Sequence, residues 1–196
     1  MMDAAHATSG VENLAHFRQL VTLPDGLRVC LRPLIATDRD ALLALFQSLS
    51  ADDRQYFRSN VTDPAVVASW AEAVDYSRVF PLLAVVGDQL VGTCTLHLGS
   101  GPTRHIAEIR VFLAQPFRRR GIGTAMLKAQ IELARKMGLH QLIAEIVESR
   151  PQVAHAFEHL GFQRECVLRD HFMTPTGETL DLIVMVRYLK RAADEF

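Results

Sequence analysis

The chain is short of the residues that staple small folds together. Its three cysteines, Cys30, Cys94 and Cys166, are odd in number, far apart and never in a C-x-x-C pair, so neither a disulfide framework nor a zinc site is expected. None of its eight histidines falls at ligand spacing with cysteine or carboxylate, and no metal is expected. The opening residues Met1-Met2-Asp3-Ala4-Ala5-His6 lack the basic and apolar regions of a signal peptide, and no apolar run approaches the roughly 20 residues that span a bilayer. A soluble cytoplasmic protein with no membrane partner is the expectation. An excess of one charge is missing too: 21 Lys and Arg stand against 22 Asp and Glu, a net charge of −1. That balance excludes global attraction to nucleic acid, so any phosphate must be held by a local cluster.

What the chain has is apolar content and period. With 49% hydrophobic residues over 196 positions, one sizeable core and one domain are expected. Residues 1–17 show no period and read as a lead-in segment, disordered or a short docking helix, ahead of a domain over 18–196. Val21-Thr22-Leu23, a Pro24-Asp25-Gly26 turn and the alternating Leu27–Arg32 stretch predict a hairpin. Thr37 or Asp38 is placed to cap one helix, Ser50 a second, and Asp63-Pro64 opens a third. Strands follow over Pro81–Val86, Gln89–Leu96 and His105–Leu113. A long helix carries the apolar line Ile122, Met126, Ala129, Leu133 and Met137 and stops at Gly138. Gln141–Val147, Pro151–Leu160, Phe162–Leu168 and Leu180–Leu189 then predict strand, helix, strand and strand. The order is mixed α+β, with antiparallel strands first and one strand–helix–strand crossover later.

The chemistry concentrates where the third of those strands meets the long helix. A diphosphate needs several donors converging on a small volume, and the free N–H groups of a helix N-terminus supply them with a favourable dipole. In Arg118-Arg119-Arg120-Gly121-Ile122-Gly123-Thr124, two glycines let the backbone come close and three cations stand beside them. A helix cap with a solvated basic face would leave the same trace. A Walker loop would need Lys-Ser or Lys-Thr after the second glycine, where Thr124-Ala125 stands. A Rossmann fingerprint would need a small residue at Met126, which belongs to the helix core line, although Glu145 and Glu148 lie at a plausible distance for a ribose contact.

The stretch Ile109 to Leu127 resembles the acyl-CoA-binding motif of the GNAT N-acetyltransferases, [Q/R]-x-x-G-x-[G/A], with Arg118, Gly121 and Gly123 in the defining positions. Downstream, Phe157-Glu158-His159-Leu160-Gly161-Phe162 is similar to the family's Tyr-Glu-Lys-Leu-Gly-Phe segment in all but two places. The resemblance runs from about Val21 to Leu189. It implies a GNAT fold: a central, mostly antiparallel twisted sheet of about six to seven strands flanked by helices, whose central strands splay to hold acyl-CoA. Acetyl-CoA is the implied co-substrate. Amides of Arg119, Arg120, Gly121, Gly123 and Thr124 would hold its pyrophosphate, with Arg118 beside them. Phe112, Leu113 and nearby backbone would pair with the pantetheine arm. Arg150 stands where the family often has Asn and could reach a phosphate, and Phe157 would line the same site.

The implied activity is transfer of an acetyl group to a primary amine, of a small molecule or of a protein lysine or N-terminus, by direct attack in a ternary complex. Such a reaction needs a neutral nucleophile and a proton for the departing thiolate. Glu108 is the candidate general base; an exposed strand carboxylate paired with Arg110 or a cross-strand base is the plainer account of it. The family's acid, a tyrosine, is replaced by Phe157, which leaves Tyr188, Tyr56, Cys166, His155 and His159 as alternative donors. The acceptor is implied to enter beside residues 48–60 and 173–179, where Asp52, Asp53, Asp170 and Glu178 could attract a cation. The segment Leu27–Arg58 also resembles the opening of bacterial protein-lysine acetyltransferases. Without a proton donor the chain would be a non-catalytic acyl-CoA-binding regulatory module. A nucleic-acid binder would rest on the arginine triplet alone and is not expected. Sequence leaves open whether the chain forms a homodimer.

Overall fold

The structure is a computed structural model and describes residues 14–190; most of the expected lead-in, residues 1–13, lies outside them. Strands β1 (Gln19–Thr22), β2 (Arg28–Pro33), β3 (Val79–Val86), β4 (Gln89–Leu98), β5 (Ile106–Leu113), β6 (Gln141–Val147), β7 (Gln163–Met173) and β8 (Thr179–Tyr188) join one sheet. Their order is β1-β2-β3-β4-β5-β6-β8-β7. Eight strands, against the six or seven the resemblance implies, are reached because both arms of the first hairpin enter the sheet, β1 as an edge of four residues. Every pairing is antiparallel except β5 with β6.

The helices are α1 (Arg39–Gln47), α2 (Ala51–Arg54), α3 (Pro64–Glu72), α4 (Ile122–Lys136) and α5 (Pro151–Glu158). The caps read from sequence hold at two of them: the Ser50 hydroxyl accepts from Asp53 N, and the Asp63 carboxylate from Ala65 N. Asp38 behaves differently. It does not cap α1; it takes a bidentate pair from Arg32 at 2.6 and 2.5 Å and accepts from Ile35 N, which fastens the turn after β2. A charge pair outweighs a single capping bond here because both partners are largely withdrawn from water.

Alternation along the strands feeds two cores. On one face Phe80, Leu82 and Ala84 of β3 pack with Ile122, Met126, Ala129 and Leu133 of α4 and with Phe157 of α5. On the other, Leu83 packs with Leu42, Leu45 and Phe46 of α1 and Val67 and Ala71 of α3. The predicted apolar line of α4 is therefore the buried one, with Met137 half-buried at its end. The helix stops in a Schellman arrangement, Gly138 N donating to Arg135 O and Leu139 N to Ala134 O.

One polar residue lies wholly inside this core. Gln130 of α4 donates through Nε2 to Phe80 O at 2.9 Å and Cys94 O at 2.8 Å, tying the helix to adjacent strands. Its Oε1 finds no partner. Leaving two buried carbonyls without their donor costs more than removing that lone oxygen returns. Gln130→Leu should lower the unfolding free energy by about 2 kcal/mol in chemical denaturation; unchanged stability would mean the two bonds contribute nothing net.

Candidate active site

The site begins where the sheet comes apart. β5 and β6 pair only through Ile106 with Gln141, Ala107 with Leu142 and Glu108 with Ile143. Beyond that point β5 stays with β4 as far as Leu113, while β6 stays with β8 as far as Val147. Each follows the twist of its own neighbour, and the two diverge. The gap opens into a cleft of about 1130 Å³ that runs from His97 and Glu108 past the start of α4.

At the α4 end, the amides of Arg119 through Thr124 donate to no acceptor among the described residues, and the first internal bond of the helix is Ala125 N to Gly121 O. Gly121 stands before the helix at φ +91, a conformation that suits glycine, and Arg119 adopts φ +60. A Cβ on Gly123 would meet no protein atom within 4 Å. These unpaired amides, with the helix dipole, are donors suited to a diphosphate.

The three arginines beside that row do different things. Arg118 donates through Nε to Leu113 O at 2.8 Å and through Nη2 to Asp53 at 2.7 Å, and its guanidinium lies 5.9 Å from the Phe112 ring centre. It staples the loop to the end of β5 and to α2. Arg120 pairs with Asp25 at 2.7 Å, and its side chain does not line the cleft. Arg119 lines the cleft with no ion-pair partner among the described residues.

Phe112, Leu113, Gly121, Gly123, Thr124, Arg150 and Phe157 also line it, so the predicted cofactor residues share one surface apart from the Arg120 side chain. Phe112 stacks on Phe46 and meets Phe57 edge-on. Phe157 is buried and meets Phe162 edge-on with centroids 4.9 Å apart. Of the alternative donors only Tyr56 lines the cleft; Tyr188, Cys166, His155 and His159 are exposed elsewhere. Residues 48–60 contribute Asp53, Tyr56, Phe57, Arg58 and Ser59, whereas 173–179 contribute nothing to the lining.

Glu108 sits at the last pair before the strands part, its side chain 21% exposed. Arg110 grips both its oxygens, at 2.8 and 2.7 Å, and Arg58 approaches within 3.5 Å. Burial pushes the carboxyl up, but the hydrogen bonds and charge of Arg110, with the charge of Arg58, outweigh it and hold it below the ordinary glutamate range. Asp53 behaves alike: burial raises it, and Arg118, Ser50 and Arg150 together bring it lower.

Two residues here, Arg58 and His97, were not singled out in the sequence. Arg58 pairs with Glu145 of β6 as well as approaching Glu108 of β5, so one side chain spans the gap between the strands. Nothing in the local pattern marks a contact between positions 87 apart. His97 lies opposite Glu108 on β4 and shares a hydrogen bond with the Thr95 hydroxyl at 3.1 Å. Burial first, then the charge of Arg110 and, least, of Arg58, drive its pKa down to about 4 against an upward pull from Glu108. The imidazole is neutral at physiological pH. Among the described residues no three metal-ligating side chains cluster, and no helix is long and apolar enough to cross a membrane.

Residues 28–163 match the acetyltransferase (GNAT) domain family. No curated protein sequence matches the chain. Among solved structures, the GNAT domain of S. lividans PAT superposes with TM-score 0.73 at 20% identity, over 89% of this chain and 98% of that one. Ribosomal-protein-alanine N-acetyltransferase from Brucella melitensis gives TM-score 0.70 at 26% identity, over 81% and 98%. A putative acetyltransferase from Salmonella typhimurium, solved with its cofactor acetyl-CoA, gives 0.71 at 18%, over 83% and 95%.

The depressed His97 pKa has a consequence for stability. Above pH 6.5, the ordinary histidine value, the imidazole is neutral folded or unfolded and contributes no pH dependence; between 6.5 and about 4 only the unfolded chain takes up the proton. Stability should therefore fall as pH drops through that window, and this contribution should level off below it. The thermal midpoint of His97→Gln should fall less steeply from pH 6.5 to 4 than that of the wild type, and parallel curves would contradict the assignment.

Proposed function

The chain belongs to the GNAT acetyltransferase family, and we propose that it moves an acetyl group from acetyl-CoA to a primary amine by direct attack in a ternary complex. The acceptor is a small-molecule amine or a protein lysine or N-terminus. The observation that carries this reading is the run of unpaired amides from Arg119 to Thr124, of which Arg119, Gly121, Gly123 and Thr124 line the cleft between β5 and β6. A diphosphate fits such a row because each N–H meets an anionic oxygen and the dipole of α4 adds to all of them.

The remaining roles follow the lining of the cleft. Arg119, the triplet's one cation without a carboxylate partner among the described residues, would add charge at the phosphates. Past Glu108, β5 has no strand on its β6 side, so backbone groups as far as Phe112 and Leu113 can bond an amide-bearing arm as an added strand would. Arg150 and Phe157 flank that path from α5. In this reading residues 18–196 are the acetyltransferase domain and 1–17 a lead-in to it.

Glu108 would take the proton that the amine must lose, directly or through water. A carboxylate held low is ionised throughout the neutral range but draws a proton only weakly, so its share of the rate is modest. A second reading, a regulatory module that binds acyl-CoA without turnover, draws on Phe157, which offers no proton. Release of free CoA thiol with a panel of primary amines separates the two.

Gly123→Val should leave a folded, soluble protein, since its Cβ meets no protein atom. It should weaken acetyl-CoA binding at least tenfold by calorimetry, because the side chain enters the space the phosphates need; wild-type affinity would remove the diphosphate assignment. Glu108→Gln should lower kcat by about tenfold between pH 6 and 8. The wild-type acid limb should lie below the ordinary glutamate value of 4.5, and a limb near neutrality that vanishes in the variant would contradict the depressed carboxyl.

A further inference from the structure

We propose that Tyr56 is the acid that protonates the departing thiolate, an assignment that rests on the acetyltransferase reading above. The chain contains three tyrosines, and the structure separates them. The Tyr76 hydroxyl donates to Leu34 O. The Tyr188 hydroxyl donates to Glu165 Oε1 at 3.3 Å, on an exposed strand end. Neither lines the cleft. Tyr56 does, and its hydroxyl has no hydrogen-bond partner among the described residues.

No other group in the cleft suits the task. Asp53, Glu108 and Glu145 are carboxylates paired with arginine, the Asp75 carboxylate is held low by hydrogen bonds from Ser77, and guanidinium groups do not release protons in proteins. His97 is a neutral imidazole in a hydrogen bond with Thr95. Aliphatic hydroxyls are far weaker acids than a phenol. Phe157 has no proton to give, yet its ring lines the same cleft.

Tyr56 is also held for the role. Its ring stacks on Phe172 of β7, with centroids 6.1 Å apart and planes at 29°. The Arg150 guanidinium lies 4.3 Å from its ring centre, on the residue that opens the helix carrying Phe157. Three residues earlier, Asp53 is tied to Arg118 at 2.7 Å and lies 4.0 Å from Arg150. Two residues later, Arg58 is tied to Glu145 and approaches Glu108. The backbone around Tyr56 is therefore fastened to both lips of the gap.

The step balances. The amine nitrogen forms a bond to the thioester carbon, and the carbon–sulfur bond breaks with its electron pair on sulfur. Tyr56 gives its hydroxyl proton to that sulfur, releasing a free thiol. The proton shed by the nitrogen, passed through Glu108 and solvent, restores the phenol. Amine and thioester become amide and thiol, with nothing else consumed.

The test compares the wild type with Tyr56→Phe, which deletes one oxygen and keeps the ring. With acetyl-CoA and the best amine of a panel, kcat should fall about 100-fold, while the acetyl-CoA dissociation constant and the thermal midpoint stay unchanged. Adding Phe157→Tyr to the Tyr56→Phe chain should return at least tenfold of the loss. An aryl acetyl thioester, whose thiolate leaves without a proton, should be turned over equally by both chains. Wild-type kcat in Tyr56→Phe overturns the proposal, and so does an equal loss with both acyl donors, which would mark a positional role. Either result leaves the acetyltransferase reading standing. A wild-type chain that binds acetyl-CoA but releases no thiol with any primary amine overturns that reading and Tyr56 with it.

Discussion

Three residue pairs hold β5 to β6, and everything of chemical interest in the cleft depends on their stopping at Glu108 and Ile143. Had the ladder continued, the backbone of Ile109 to Leu113 would be spent on hydrogen bonds and no cleft would reach the start of α4. The parting is sustained because each strand keeps its other partner, β4 on one side and β8 on the other. A sheet interrupted in its middle exposes polar backbone that would ordinarily be costly. Side chains drawn from another part of the chain, the segment around α2, bridge the two strands across the parting.

That segment is fastened by charge rather than by burial. Asp53 reaches Arg118 on the β5 side and stands 4.0 Å from Arg150 on the β6 side; Arg58 does the reverse, one cation between Glu145 and Glu108. Phe57 adds apolar contact through Phe46 and Phe112. Two ion clasps of opposite polarity, five residues apart, hold a short helix across an open gap. Pairs of this kind contribute modestly when exposed, but Asp53 is 12% exposed and shares hydrogen bonds with both Ser50 and Arg118. Arg118 thereby does more than a surface cation would: its second bond, to Leu113 O, fixes where β5 ends and the donor row begins.

How much of this could be read beforehand divides by distance along the chain. The core line of α4, the Asp63 and Ser50 caps, the glycine stop at Gly138 and the donor row at Gly121 are local events, set by residues within one or two turns of each other. They were legible. The same local logic mistook Asp38 for a helix cap, because a partner six residues back, Arg32, competes for its carboxylate and wins with two bonds. It also ended β7 near Leu168, whereas pairing resumes at Phe172 after a bulge in which Asp170 adopts φ +50. Arg58 with Glu145 was invisible, since a pairing across 87 positions leaves no period to detect. The role of Tyr56 was half legible: sequence offered five donors, and only the folded arrangement separates the one in the cleft from four on the outside.

The charges of the cleft bear on what it accepts. At the α4 end Arg118, Arg119 and Arg150 face a single carboxylate, Asp53, so a positive surplus remains where the donor row lies. At the other end Glu108 and Glu145 are each engaged by an arginine, and His97 is neutral. Asp170 bonds Thr179 and, like Glu178 and Asp52, does not line the cleft. An anionic ligand is therefore attracted to one end by unbalanced charge, while elsewhere in the cleft the one lining carboxylate outside an ion pair is Asp75, whose Oδ1 accepts from Ser77 and which stands near Arg78. Selection among amines can then come from Asp75, from shape along the Trp70, His97 and Arg110 wall, or from a cation displacing Arg58 from its two carboxylates. A group that arrives as an ammonium and must react as a neutral amine loses little in such a place: a balanced, partly dry site penalises the charged form and favours the nucleophile.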